Sequence, residues 1–360
     1  MKTLLFYINS LRRGGAERVM LELASRFAAE GWRSVLVTSY PAPDEYPVPP
    51  SVLRLNLEDE MRIHPSPAQN LGRIRKLRRL CRQYAPAALI AFMPAPCMRA
   101  VLATRGLPVK LLVSVRNQPE KEYAGRAMRF VGQRLLPLAD GCVFQTEDAR
   151  AWFPEKLQKK SAVIMNQVAP AFFDEPPASE HRGVVAVGRL NEQKNHALLL
   201  RAYAALGETG DPLTIYGEGP LREKLEALAR TLGIEDRVSL PGQCGDIPGA
   251  IKGAKLFVLP SDYEGMPNAL LEAMALGLPC IAADCPCGGP ASVIVSGENG
   301  VLVPVGDERA LTAAMAALLH DEAKREALAK KARETAEAFR PEAVFARWRD
   351  YVYALIGEEG

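Results

Sequence analysis

Short apolar runs with no polar alternation recur along the chain. Each is followed by glycine or proline and then by a segment whose apolar residues return every three or four positions. Runs of the first kind suit strands buried on both faces of a parallel sheet, and segments of the second kind suit amphipathic helices. The pattern predicts strands at 2–8, 34–38, 87–92, 111–115, 141–146 and 162–166, then at 183–187, 213–216, 238–242, 255–260, 279–283 and 299–303. Helices are predicted from Val19, over 72–82, 221–232, 308–320 and 322–339, and finally over 341–356, where Val344, Phe345, Trp348, Tyr351, Val352 and Leu355 form one stripe. Regular strand–helix alternation predicts an α/β protein with doubly wound parallel sheets. The Pro-rich stretch 169–182 breaks the alternation as a linker does, giving domains at 1–168 and 169–340.

Composition adds scale. A chain of 360 residues that is 48% hydrophobic is long enough for two cores. No run approaches the roughly 20 apolar residues of a membrane span, and the N-terminus enters a strand directly, so a cytoplasmic protein is expected. Seven scattered cysteines argue against a disulfide framework, and neither Cys285-Pro286-Cys287 nor the four dispersed histidines have metal-ligand spacing. Charge is uneven: residues 1–165 hold 26 Lys and Arg against 14 Asp and Glu, and the remainder 19 against 28. A basic first half suggests an acidic partner, whether nucleic acid, anionic lipid or a phosphorylated acceptor. Its densest run, Gly72–Arg82, carries six cations around an apolar stripe at Ile74, Leu77, Leu80, Cys81 and Tyr84. That helix reads either as an ordinary basic surface or as one facing anionic headgroups, with Arg75, Lys76, Arg78 and Arg79 as the contacts. Nucleic acid is disfavoured, because the basic segments lack interleaved aromatics and any known reading module.

Candidate chemistry concentrates at 260–275, a strand end, a turn and a helix start in one run. Glu264 falls in the turn and Glu272 about two turns into the helix opened by Gly265 and Pro267. Free backbone N–H groups between the two carboxylates form an anion site, and the carboxylates accept from sugar hydroxyls, a combination suited to a nucleotide-sugar. After the strand ending at Gly188, Arg189 and Lys194 lie five residues apart on one loop, as two cations on a diphosphate would. Gly217 belongs to another strand-end Gly-rich turn, Gly217-Glu218-Gly219-Pro220, and the loop from Gln243 to Ile247 suits a nucleobase edge without being specific for one. Gly14 and Gly15 open the first helix and permit close backbone approach to a ligand, a weak signal alone. The GxGxxG fingerprint is absent, which removes the main support for a nicotinamide enzyme. Arg116 and Asn117 follow a strand's carboxyl end, where ligand-contacting loops sit.

These residues together resemble the family-four retaining glycosyltransferases of the GT-B fold. The resemblance rests on Gly14-Gly15-Ala16-Glu17-Arg18, Gly188-Arg189-Leu190 with Lys194, Gly217-Glu218-Gly219-Pro220, the two glutamates Glu264 and Glu272 with seven residues between them, the following Ala273–Pro279, and the Gly297-Glu298-Asn299-Gly300 turn. It implies two Rossmann-like domains facing a cleft, with the last helix returning to the N-terminal domain. It also implies that Glu272 holds the donor ribose, that Glu264 lies by the transferred sugar, and that Arg189 and Lys194 neutralise the diphosphate. Backbone at Gly265, Met266, Pro267 and Asn268 is implied to meet sugar hydroxyls, and Gly14-Gly15 to close over the diphosphate. Where many members carry His, this chain has Arg116-Asn117, placed on the acceptor side. The implied activity is transfer of a hexose or N-acetylhexosamine from a UDP-sugar to a lipid-linked or polysaccharide acceptor in bacterial surface-glycan synthesis. It would proceed with retention, without metal or cofactor, at the inner face of the plasma membrane. A nucleotide-sugar epimerase of the same architecture and a non-catalytic nucleotide-binding subunit stay open as alternatives.

Overall fold

In the computed structural model, which describes residues 1–358 except 177 and 179, the chain divides into two units. Unit 1 is Met1–Asn166 with Glu342–Gly360, and unit 2 is Gln167–Pro341. Unit 1 is built on seven parallel strands: β1 (Thr3–Ile8), β2 (Arg33–Thr38), β3 (Val52–Asn56), β4 (Ala88–Phe92), β5 (Lys110–Ser114), β6 (Gly141–Phe144) and β7 (Ser161–Val163). Their spatial order is β3-β2-β1-β4-β5-β6-β7. Unit 2 is built on β8 (Val184–Val187), β9 (Leu213–Tyr216), β10 (Val238–Gly242), β11 (Leu256–Leu259), β12 (Cys280–Asp284) and β13 (Val301–Pro304), in the order β10-β9-β8-β11-β12-β13. In both sheets the order reverses beside the first strand. The crevices outside the carboxyl ends of β1 and β4, and of β8 and β11, are therefore the places where a doubly wound sheet receives ligands.

Strand β3 was not expected. Val52-Leu53-Arg54-Leu55-Asn56 alternates apolar and polar residues, and it pairs only with β2 at the sheet edge, so it lacks the unbroken apolar run of a central strand. The stretch read as a linker also has structure. The short helix Ala171–Asp174 buries Phe172 and Phe173, Arg333 donates to the Phe173 carbonyl at 2.9 Å, and the Arg340 guanidinium lies 4.1 Å from the Phe173 ring centroid.

The helix Pro341–Ile356 packs its apolar stripe into the core of unit 1. Val344, Phe345, Trp348 and Val352 are buried there with Phe6, Phe27 and Phe92. The Trp348 ring is 5.7 Å from Phe92 and the Phe345 ring 5.1 Å from Phe27. Tyr351 Oη accepts from the Cys142 amide at 3.1 Å and donates to the Lys160 carbonyl at 2.7 Å. Gly141 is required there, because a Cβ would lie 2.7 Å from that oxygen. Truncating a buried Trp or Phe of this kind costs roughly 3–5 kcal/mol.

The basic helix, Pro67–Tyr84, departs from its expected face. Its buried stripe is Arg73, Leu77 and Cys81. Arg73 donates to Glu58 at 2.6 Å, Lys76 to the Leu57 carbonyl at 2.5 Å, and Arg78 to the carbonyls of Ala103 and Arg105 at 2.8 and 2.7 Å. Of the four cations expected to meet headgroups, two are thus tied into the protein. Among the described residues no helix is long and apolar enough to cross a membrane.

Candidate functional site

The loop after β8 is shaped by side chains that satisfy its own backbone. Asn191 Oδ1 accepts from the Lys194 amide at 3.2 Å, holding a single 3-10 turn over Glu192–Lys194. Asn195 then adopts φ +43°, a left-handed conformation that Asn tolerates, and its Oδ1 caps the helix His196–Ala205 by accepting from Leu198 N at 3.2 Å. Its Nδ2 donates to Asp262 Oδ1 at 2.7 Å, and the Asp262 amide donates to the Gln193 carbonyl at 2.9 Å. The loop after β8 is thereby fastened to the loop after β11, across the point where the strand order reverses.

Glu264 lies at that junction and is buried. It pairs with the Lys194 ammonium and accepts from Ser261 Oγ at 2.7 Å, with Gln193 Nε2 at 3.4 Å from its other oxygen. Both the amide and the carbonyl of Glu264 are bonded, to the Pro286 carbonyl at 2.7 Å and the Cys287 amide at 2.9 Å. The carboxylate is thus fixed in position with its charge compensated by one cation. Cys285 beside it has its thiol pushed up to about 12, chiefly by burial and then by the Glu264 charge. His196 is buried, and burial lowers it to about 4, so the ring next to Lys194 is neutral at pH 7.

Arg189 is exposed and lines a pocket of ≈ 330 Å³ together with Gly188, Tyr216, Gly217, Glu218 and Gln243. The glycine at 217 is obligatory: φ is +143°, and a Cβ would lie 2.0 Å from the Gly188 carbonyl oxygen. The helix expected to open at Gly265 spans Asn268–Ala275, with Pro267 at its N-cap and no side-chain cap. Gly265, Met266 and Pro267 are buried, whereas Asn268 and Glu272 are half-buried. Because the helix starts at Asn268, Glu272 lies about one turn in rather than two, roughly 6 Å along the axis.

In unit 1, Gly14 is the N-cap of the helix Gly15–Ala29, and Glu17 folds back over it: a Cβ on Gly14 would lie 2.4 Å from Glu17 Oε2. Burial raises the Glu17 carboxyl above its ordinary value. Arg116 is 8% exposed, stacks 4.9 Å from the Phe92 ring centroid and donates through Nη2 to Asn166 Oδ1, which also accepts from Gln145 Nε2 at 2.9 Å. Its Nε and Nη1 are buried without partners, and burial lowers it to about 10. Asn117 is exposed. Glu122 nearby in sequence is pushed up to about 7 by burial.

The structure therefore brings Lys194 and Glu264 into contact and groups Arg189, Gly217 and Gln243 around one pocket. Ser261, Gln193, Asn195 and Gly289 were not singled out from sequence. Gly289 matters because a Cβ there would lie 1.9 Å from the Gly265 carbonyl oxygen. The adjacent pair Gly288-Gly289 was the available signal for that close approach.

Comparison with known proteins follows the same division. Residues 14–165 match the glycosyl transferase 4-like domain, and residues 169–335 match the glycosyl transferases group 1 family. An exopolysaccharide phosphotransferase of Streptomyces coelicolor is 34% identical over 273 residues, which are 73% of this chain but only 28% of that protein. An undecaprenol-linked α-1,4-N-acetyl-D-galactosaminyltransferase of Campylobacter jejuni is 24% identical over 97% of both chains. Among solved structures, Anabaena HepE in complex with UDP-glucose is similar with a TM-score of 0.80 at 18% identity, over 98% of this chain and 100% of that one.

Proposed function

This chain belongs to the glycosyl transferases that join a 4-like domain to a group 1 domain on the GT-B fold, and from that premise we propose that it transfers a hexose or N-acetylhexosamine from a UDP-sugar to a lipid-linked or polysaccharide acceptor in bacterial surface-glycan synthesis. The observation that carries the reading is the Lys194–Glu264 pair held between the loops after β8 and β11, beside the pocket lined by Arg189, Gly217 and Gln243. A UDP-sugar laid across this crevice has its diphosphate by Arg189, Lys194 and the uncapped start of the helix Asn268–Ala275. Its ribose meets Glu272, its base meets the Gln243 loop, and its sugar meets Glu264 and the backbone of Gly265–Asn268.

Transfer breaks the bond between the anomeric carbon and the diphosphate while the sugar becomes oxocarbenium-like. Negative charge grows on the leaving oxygen, where Lys194 and Arg189 stabilise it, an effect typically worth a few kcal/mol per well-placed donor. When Lys194 turns toward the leaving group, the Glu264 carboxylate is partly released to stabilise the positive sugar electrostatically. No residue is assigned as covalent nucleophile. The acceptor hydroxyl attacks the face that the diphosphate leaves, which gives retention, and the leaving phosphate takes the proton. The positive side chains and helix start carry the leaving charge, so the reaction is proposed to need no metal and no cofactor. The relative from Campylobacter, named for an undecaprenol-linked acceptor and α linkages, supports this acceptor class and outcome. The relatives and the basic first half support an enzyme peripheral to the inner face of the plasma membrane.

Calorimetric titration with UDP tests the donor site. Arg189→Ala and Glu272→Ala are each expected to weaken UDP binding by about tenfold, the loss of one charge-assisted contact. Unchanged affinity in both variants would remove the crevice from the proposal.

A further inference from the structure

We infer that Arg99, buried at the carboxyl edge of the unit 1 sheet, forms a subsite for an oxyanion carried by the acceptor, either the diphosphate of a lipid carrier or the carboxylate of an acidic sugar. The acceptor comes from the proposed transferase reading, on which this inference rests. The anion site itself is carried by the geometry of unit 1.

Arg99 lies on the helix Pro94–Thr104 that follows β4, and it is only 3% exposed. Its guanidinium reaches the residues that leave the carboxyl ends of β1 and β2. Nη1 donates to Asn9 Oδ1 at 3.1 Å, to Ser39 Oγ at 3.2 Å and to Tyr7 Oη at 3.3 Å, and Nε donates to Asn70 Oδ1 at 2.9 Å. The cluster therefore stands at the end of the sheet, beside the reversal in strand order, where such a sheet receives ligands.

All four partners are neutral. Two carboxylates at this end of the unit are engaged by other cations. Glu58, whose amide donates to the Ser39 carbonyl at 3.1 Å, pairs with Arg73, and Glu45, which accepts from the Leu11 amide at 3.1 Å, pairs with Arg54. Among the described residues Arg99 has no ion pair. A guanidinium keeps its charge at any pH a folded protein meets. Burying it without a counter-ion costs stability, and a neutral side chain could close the same polar cluster. A bound oxyanion supplies the missing charge.

Arg99 differs in this from the other cations of unit 1. Arg73 is buried against Glu58. Arg116 is stacked on Phe92, and its free Nε and Nη1 are shut off from solvent. Arg75 and Arg79 are exposed, so water compensates them and no ligand is called for. Arg99 Nη2, by contrast, has no partner among the described residues and is not shut off from solvent. It is a donor held in place by the rest of its guanidinium and open to an incoming oxyanion.

The test is steady-state transfer by the full chain to three short-chain acceptors with the same terminal sugar: a prenyl-diphosphate sugar, a neutral alkyl glycoside, and an alkyl glycoside with glucuronate next to that sugar. The readout is the ratio of kcat/KM for each anionic acceptor to that for the neutral one. The parent is expected to prefer one anionic acceptor by at least about tenfold, and the one preferred names the source of the oxyanion. Arg99→Gln is expected to lower that ratio about tenfold. Asn9→Asp is expected to do the same by giving Arg99 a carboxylate inside the protein, while keeping or raising the urea midpoint, so that its lost preference is not unfolding. Arg75→Gln/Arg79→Gln is expected to keep the ratio within about twofold of the parent. An unchanged ratio in the Asn9→Asp protein, or an equal loss in the 75/79 variant, would overturn the inference. Turnover with no preference for either anionic acceptor would overturn it and leave the transferase reading standing. If no acceptor is turned over, calorimetric titration with inorganic pyrophosphate and with glucuronate, in excess UDP, separates the two. Anion binding that is lost in the Asn9→Asp protein would keep the site and remove the transferase reading, whereas no anion binding would remove the site as well.

Discussion

Lys194→Met tests the coupling between Lys194 and Glu264 inside unit 2. The two side chains are 17% and 7% exposed, so solvent screens the pair little. Deleting one partner of a buried pair costs roughly 3–5 kcal/mol, because the other charge is left uncompensated. Here Ser261 Oγ at 2.7 Å and Gln193 Nε2 at 3.4 Å continue to donate to the carboxylate, which lowers the expected loss to about 2–3 kcal/mol. Adding Glu264→Gln removes the stranded charge and is expected to return about 1–2 kcal/mol of it. Urea unfolding followed by far-UV ellipticity measures both changes. Trp32, Trp152 and Trp348 all belong to unit 1, so their fluorescence follows that unit while ellipticity follows both. A loss below about 1 kcal/mol for Lys194→Met, or a double variant no more stable than the single one, would refute the coupling between the two residues.

Two further outcomes follow from the geometry. Gly217→Ala places a Cβ 2.0 Å from the Gly188 carbonyl oxygen at a φ of +143°, a conformation that costs about 1–3 kcal/mol even without the clash. A lowered unfolding midpoint together with lost UDP binding is expected, and parent-like behaviour in both would contradict the packing of these turns. Burial raises Glu122 from an ordinary 4.5 to about 7, so the folded chain holds this proton where the unfolded chain releases it. Stability therefore falls as pH rises from about 4.5 to about 7. Above that the full penalty applies, up to ~3 kcal/mol. Glu122→Gln is expected to stabilise the protein by up to that amount at pH 8 and by less than ~1 kcal/mol at pH 5, as read from urea midpoints. Equal effects at the two pH values would show that Glu122 does not titrate this way.

The central strands were readable because strands buried on both faces must be continuously apolar, as Leu4–Ile8 and Leu256–Leu259 are. The edge strand Val52–Asn56 escaped because exposure on one side permits the polar interruptions that the same rule rejects. Arg189, Lys194, Glu264 and Glu272 could be picked out by charge and by position at strand ends. That Lys194 would meet Glu264, 70 residues away, could not be, since it depends on β8 and β11 becoming neighbours through a crossover. The fate of the basic helix was legible in part. Arg73 lies four residues before Leu77 and eight before Cys81 and so shares their side of the helix, although the expected stripe of Ile74, Leu77, Leu80, Cys81 and Tyr84 left it out. What could not be read was the acceptor for its charge, Glu58, on a segment outside the helix.

The central claim is transfer from a nucleotide-sugar, and its most direct measurement is nucleotide release from a panel of UDP- and GDP-sugars with a short-chain prenyl-diphosphate sugar acceptor. The unaltered protein is to be compared with Lys194→Ala and Glu272→Ala. Acceptor-dependent release of UDP from one donor, reduced by at least about 100-fold in the Lys194→Ala protein and strongly reduced in the Glu272→Ala protein, is the predicted result. Donor conversion without acceptor, or tight UDP binding with no release from any donor, would contradict it.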